Sequence, residues 1–318
     1  MRPYARSGGR SAKCEDVEMS IELGSGQVLY EVENLVATAV INREERRNAI
    51  SPDVVAGLRE AVSRTKKDPE ARVLVISGAG EKAFCAGADL SVMFTTPPPG
   101  RNGGPAGGSA EGAEARASGA GSAPAGDPAG GYEDVLGAHE GRGDIARLFQ
   151  EMWGMGKPSI AKVQGWALAG GFGLAMACDM VIASEKARFG APEIGVGLWP
   201  FIISVPLVRS MPPKVALELM MTGRFVGAEE ARSLGFVNRV VAHEELGTAV
   251  NEAAAALAGC SPLVMRLGKT SFYDIQGMRP EDAFAHLQAL LTLTTMTADA
   301  AEGIAAFLEK REPVWTGR

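Results

Sequence analysis

Apolar and polar positions alternate most clearly in GQVLYEVENLVATAVIN (26–42), where two strand-like stretches flank the polar pair Glu33-Asn34. The period changes in SPDVVAGLREAVSRTKKDP (51–69): Val54, Val55, Leu58 and Val62 fall at helical spacing. Ser51 is placed as the N-cap of that helix, Pro52 suits its first position, and Asp68-Pro69 ends it. ARVLVISGAG (71–80) is then continuously apolar, as a strand buried on both faces requires. The unit reads as strand–helix–strand, a right-handed parallel crossover. Further along, the pattern predicts a helix over 134–155 carrying Ile145, Leu148, Phe149 and Met152. KPSIAKVQGWALAGG (157–171) predicts a strand entering a glycine turn, FGLAMACDM (172–180) a helix, MVIAS (180–184) a strand, and Ala191-Pro192-Glu193 a turn. Beyond Pro212 the pattern is mainly helical. The chain is therefore expected to be an α/β protein, a repeated β–α core followed by a helical part.

One segment breaks the pattern. From Thr95 to Tyr132, 26 of 38 residues are Gly, Ala or Pro, so it has almost nothing to bury against its ordering entropy. It reads as a flexible loop inserted in a folded domain, an insertion with no role of its own. A lid is the sharper alternative, because the segment follows a motif with chemistry. Residues 1–24 read as a flexible extension, 25–212 as the core, and 213–318 as a helical C-terminal region.

Charge narrows the partners. A net charge of −6, with Lys and Arg in no run longer than a pair, argues against nucleic acid and acidic membrane surfaces. No run approaches the roughly 18 apolar residues of a membrane helix. The four cysteines and three histidines show no metal-ligand spacing, so no metal is expected. Lone thiols and the lack of an apolar secretory stretch point to a cytoplasmic protein.

Three motifs carry the chemistry. In KAFCAGADL (82–90) a strand ends in small residues and hands over to a helix that Asp89 could cap. GWALAGGFGLA (165–175) repeats the design, and two such turns can aim two N–H donors at one oxygen atom, an oxyanion hole. Neither turn fits a nucleotide-binding pattern, GxxxxGK[ST] or GxGxxG with a later acid. In FGAPEIGVGLWP (189–200), Glu193 is an isolated carboxylate among apolar residues and glycines, the setting of a raised pKa and a general acid/base.

Together with NREERRNAIS (42–51) and GIAAFLEKREPVW (303–315), these motifs resemble the crotonase superfamily, the enoyl-CoA hydratases and isomerases, across roughly residues 25–318 apart from the insertion. The resemblance implies a spiral of ββα units, a C-terminal helical trimerisation region, and a homotrimer or dimer of trimers. It implies an acyl-CoA substrate, with coenzyme A part of that substrate and no separate cofactor. Ala88 and Gly170 would donate the oxyanion N–H groups, Ala86, Gly87, Ala88, Asp89 and Leu90 would lie against the CoA, and Arg46 to Ala49 would border it. Glu193 matches the second of two glutamates common in the family's hydratases.

The first of those glutamates would fall on Gly173. One carboxylate suffices for a Δ3,Δ2 double-bond shift, and hydration with Glu193 alone also stays open. Decarboxylation, C–C bond formation or cleavage, and a non-catalytic CoA-binding protein are the alternatives. Gly173 is expected to leave room for a bulkier acyl group or an extra water, and Trp166, Phe172, Trp199 and Phe201 to shape the pocket.

Overall fold

The computed structural model describes residues 20–89 and 131–318. Leu90 and the insertion, except for Gly131 and Tyr132, lie outside the described residues, as do residues 1–19 and the helix expected after Asp89. The described residues open with β1 (Ile21–Leu23), β2 (Val28–Glu33) and β3 (Val36–Ile41). β1 pairs antiparallel with β2 and buries Leu23. Asn34 and Leu35 make the β2–β3 turn with positive φ of 51° and 66°.

Helix α1 (Pro52–Lys67) starts on Ser51, whose hydroxyl accepts the Val54 N–H, and buries Val54, Val55, Leu58 and Val62. It returns the chain to β4 (Val73–Gly78), parallel to β3 and buried at every position. β5 (Ala83–Cys85) and α2 (Gly131–Trp153) complete the second ββα unit.

The stretch expected to be one strand at 157–171 is two, β6 (Ser159–Val163) and β7 (Trp166–Leu168). The break falls at Gln164-Gly165. Gln164 Nε2 turns inward to donate to the carbonyls of Gly78 and Ala83, and a Cβ on Gly165 would stand 2.1 Å from the Lys82 carbonyl oxygen. Only a glycine lets the chain pass there. α3 (Gly170–Ala177), β8 (Met180–Ser184), β9 (Arg188–Gly190) and α4 (Phe201–Ser210) continue the repeat.

β1, β2 and β3 lie in a seven-stranded sheet, β1-β2-β3-β4-β6-β8-β11, and in the pairs β4–β5, β6–β7 and β8–β9 the first strand joins that sheet while the second joins a four-stranded one, β10-β9-β7-β5. The remaining elements are α5 (Pro213–Thr222), β10 (Val226–Gly227), α6 (Ala228–Ser233), β11 (Arg239–Val241), α7 (Leu246–Ala258), α8 (Pro262–Asp274), α9 (Pro280–Thr295) and α10 (Ala298–Glu309). β10 and β11 lie beyond Pro212, so both sheets draw their last strands from the region expected to be helical. The core runs through both sheets and includes Phe84, Phe172, Phe189 and Phe236.

Candidate active site

The smaller sheet decides where the three motifs meet. β5 is parallel to β7, and β7 to β9, so all three strands end at one edge. Ala86 to Ala88 follow β5, Gly170 follows β7, and Glu193 sits in the 3-10 turn Pro192–Val196 that follows β9. Ligands gather at the carboxyl ends of parallel strands for this topological reason.

The first donor is oriented by a short bridge to residue 50. Ile50 N donates to the Gly87 carbonyl at 2.7 Å, and Asp89 N donates to the Ile50 carbonyl at 2.9 Å. In such a parallel bridge the flanking residues make both bonds, so the N–H of Ala88 points away from Ile50. On that side lies the second turn. A Cβ on Gly170 would be 3.8 Å from the Ala88 nitrogen, and a Cβ on Gly87 would be 3.5 Å from the Gly170 nitrogen. Gly170 opens α3, where an N–H has no acceptor within its own helix.

Both turns carry unusual backbone. Gly87 has φ of +96°, and a side chain there would press on Ala169 Cβ at 2.7 Å. Ala169 has φ of 49° and ψ of −124°, a conformation that costs a non-glycine residue on the order of 1–3 kcal/mol. It is held by Ala169 N donating to the Gly190 carbonyl at 2.9 Å and by its own carbonyl accepting from Gly173 N at 3.0 Å. The strain sits next to the Gly170 donor, where two strands and a helix fix the turn from three sides.

Glu193 is half-buried, and its Oε2 is buried without a hydrogen-bond partner among the described residues. Burial pushes its carboxyl above the ordinary glutamate range, against a smaller opposite pull from its own backbone N–H. A carboxyl so placed holds a proton nearer neutrality, as a group that must both take and return one requires. Ala86, Ala88, Gly170 and Glu193 remain partly accessible, whereas Gly87 and Asp89 are buried. Asp89 does not face outward: it pairs with Arg43, Oδ2 to Nη2 at 2.9 Å.

One expectation about pocket shape fails. Gly173 opens no space, because a Cβ on it would meet Ile203 Cγ2 at 2.3 Å and Ile203 Cβ at 2.7 Å. The side chain of α4 already occupies the place that a first carboxylate would take. Of the aromatic residues expected to shape the pocket, Phe172 is fully buried beside Phe189 and Phe236, while Trp166 and Phe201 are exposed and Trp199 packs half-buried on the core. Sequence reasoning missed Arg43, Gln164 and Ile203. Gln164 left a signal, a polar residue interrupting an apolar run before a glycine, and Arg43 lies within the motif NREERRNAIS (42–51). Among the described residues no group of three His, Cys, Asp or Glu could hold a metal ion. Nor is any helix among them long and apolar enough to cross a membrane.

Residues 134–318 match the family model described as enoyl-CoA hydratase/isomerase, and residues 36–102 match a second model of the same description. The chain belongs to the enoyl-CoA hydratase/isomerase family. It is 34% identical over 288 residues to the crotonyl-CoA hydratase of Syntrophomonas wolfei, spanning 90% of this chain and 96% of that one. It is 34% identical over 278 residues to the carnitinyl-CoA dehydratase of Escherichia coli, spanning 86% and 92%. A crystal structure of an enoyl-CoA hydratase from Mycobacterium smegmatis superposes with a TM-score of 0.76 at 30% identity, covering 91% of this chain and 98% of that one. The ββα spiral expected from the motifs is thus the family's fold, and the chain is an enoyl-CoA hydratase-type enzyme.

Proposed function

We propose that the protein acts on an enoyl-CoA thioester through an enolate. In this reading the thioester oxygen accepts hydrogen bonds from the Ala88 and Gly170 N–H groups, and Glu193 is the single acid/base. The observation that carries it is the buried, unpartnered Oε2 of Glu193 at the sheet edge where the two turns pack together. Each oxyanion donor is worth about 3–4 kcal/mol of transition-state stabilisation. Ala86, Gly87, Asp89 and Leu90 are proposed to border the CoA moiety, and no cofactor beyond that moiety is invoked.

For hydration, ionised Glu193 takes a proton from a water whose oxygen bonds to Cβ of the 2-enoyl chain, and the carbonyl oxygen gains the electron pair. The same proton then passes from Glu193 to Cα as the enolate collapses. One water is added, and Glu193 ends as it began; dehydration is the reverse. The hydratase and dehydratase names of the relatives support this direction.

A second reading is a Δ3,Δ2 double-bond shift, in which Glu193 removes a proton from Cα of a 3-enoyl chain and returns it to Cγ. The packing of Ile203 against Gly173 favours it, since no side chain at 173 can help to hold a water. A panel of 2-enoyl- and 3-enoyl-CoA thioesters in D₂O separates the readings. Hydration adds the mass of one water and removes the 2-enoyl absorbance, whereas isomerisation incorporates deuterium without adding water. Thioester binding with neither outcome would overturn the catalytic reading in favour of a CoA-binding protein.

The assembly is proposed to be a homotrimer or a dimer of trimers. Support comes from the apolar surface of α8 to α10, where Phe284, Leu291, Phe307 and Leu308 are exposed beside an apolar groove of about 1100 Å³. Sedimentation equilibrium of the full chain tests this, and a monomer at micromolar concentration would sink it. A reducing compartment such as the cytoplasm fits the free thiols of Cys85, Cys178 and Cys260.

A further inference from the structure

Backbone bonds hold the turn that aims the Ala88 N–H, Ala86 N to the Arg47 carbonyl at 3.0 Å and the two bonds of the bridge to Ile50, and a side chain adds a further tie. One side chain ties both halves of the bridge together. Arg43 Nη1 donates to the carbonyl of Ala49, the residue before Ile50, at 2.7 Å. Its Nη2 donates to Asp89 Oδ2, on the residue after Ala88, at 2.9 Å. The pair is well sheltered, with the Arg43 and Asp89 side chains 13% and 8% exposed. One planar guanidinium therefore spans the two strands that bracket the donor.

Arg43 is itself fixed from below. Its N–H donates to Asn48 Oδ1 at 3.2 Å, and its carbonyl accepts from Asn48 N at 2.9 Å. Asn48 is fully buried, and its Nδ2 donates to the carbonyls of Ala79 and Ala83 at 2.9 and 2.7 Å. Ala83 begins β5, the strand that leads into the Ala88 turn. The chain of bonds runs from β5 through Asn48 and Arg43 to both sides of the donor, with no step onto solvent.

We infer that Arg43 is a positioning residue for the Ala88 N–H, setting the polarisation of the thioester carbonyl through Ala49 and Asp89 without touching substrate. The inference rests on the reading of Ala88 as an oxyanion donor. A lysine cannot reproduce it, because an ammonium lacks the fixed fork that reaches two acceptors in set directions. A misplaced donor loses its bond to the developing charge while leaving the CoA contacts in place.

The test uses butyryl-CoA carrying ¹³C in its carbonyl, a saturated thioester that cannot add water, bound to the full-length protein. Isotope-edited infrared spectroscopy reads the carbonyl stretch, and deuterium exchange at Cα in D₂O reads proton transfer. In Arg43→Lys the red shift of the bound carbonyl should shrink and exchange should slow by roughly 10- to 100-fold, with Kd for butyryl-CoA changed by no more than about threefold. Asp89→Asn, which keeps the side-chain shape, should move both readouts in the same direction. If Arg43→Lys proves unable to fold, the same two readouts in Asp89→Asn decide the matter. An unchanged carbonyl shift in a folded variant overturns the inference, even if melting temperature or affinity falls, because that is the signature of a purely structural role. A bound wild-type carbonyl with no red shift would instead overturn the oxyanion reading itself, and with it this one, before any variant is made.

Discussion

At the C-terminal end of α3, Asp179 accepts four hydrogen bonds: from Ser159 N and Oγ, from Lys269 Nζ and from Tyr273 OH, all at 2.7 Å. In the turn that follows β9, Glu193 has a buried oxygen with no partner among the described residues. Both oxygens of Asp179 are engaged in holding elements together, whereas an oxygen of Glu193 is left open among the described residues. A carboxylate so fully hydrogen-bonded rigidifies its surroundings. An unsatisfied one is a cost to the fold, and its presence at the edge where β5, β7 and β9 end makes it a candidate for chemistry.

The comparison breaks first at Glu193. Glu193→Gln should lower turnover of the thioester by about 10²- to 10⁴-fold, with CoA-thioester affinity nearly unchanged, as steady-state kinetics and calorimetry would show. A variant within tenfold of wild type would remove Glu193 from the reaction. Asp179 should behave the other way round. Asp179→Ala leaves the Lys269 side chain, 6% exposed, without its counter-ion, and should destabilise the protein by about 3–5 kcal/mol in a denaturant titration. The folded fraction of that variant should keep its Cα exchange rate.

The sequence made one of these carboxylates legible and hid the role of the other. Glu193 stood out because its neighbours are apolar or glycine, a local property that survives into the fold. Asp179 carries no such mark, since its partners come from β6 and α8, and no local pattern joins residues 20 and 90 positions apart. The same distinction runs through the site. The Ala88 and Gly170 turns were legible as strands running into small residues, whereas the Arg43–Asp89 pair spans 46 positions and left no periodic trace. Local patterning also recovered β2 to β4 and α1 nearly residue by residue. It failed at 157–171, where a buried Gln164 and a close approach at Gly165 split one apolar run between two sheets. At Gly173 the sequence showed a missing side chain but not that Ile203 fills its place.

The turns themselves offer the next two tests. Gly87→Ala adds a Cβ 2.7 Å from Ala169 Cβ at a φ of +96°, so the Ala88 donor must move. Losing one donor should cost about 10²- to 10³-fold in turnover with little loss of affinity. Gly173→Ala is the structural counterpart, driving a methyl to within 2.3 Å of Ile203 Cγ2. Overpacking of that kind costs about 1–3 kcal/mol, read as a fall in the denaturant midpoint. Adding Ile203→Ala should restore only part of it, since the Cβ of residue 203 stays 2.7 Å from the new methyl.

The smallest effect bears most directly on why the open carboxylate is costly. The folded state holds the Glu193 pKa above its unfolded value, so the native protein binds this proton more tightly than the unfolded chain does. The stability it contributes is therefore fully present below the ordinary glutamate range and is lost as pH rises through the raised folded value. At neutral pH wild type bears the cost of a half-buried, unpartnered charge, and Glu193→Gln, being neutral at every pH, does not. The variant should be the more stable protein at pH 7, and its advantage should fade as both are acidified below the glutamate range. Paired melting curves over that pH span would measure the difference. An advantage that stays constant with pH would mean that Glu193 titrates alike in the folded and unfolded chain, and the contrast with Asp179 would then be one of hydrogen bonding alone.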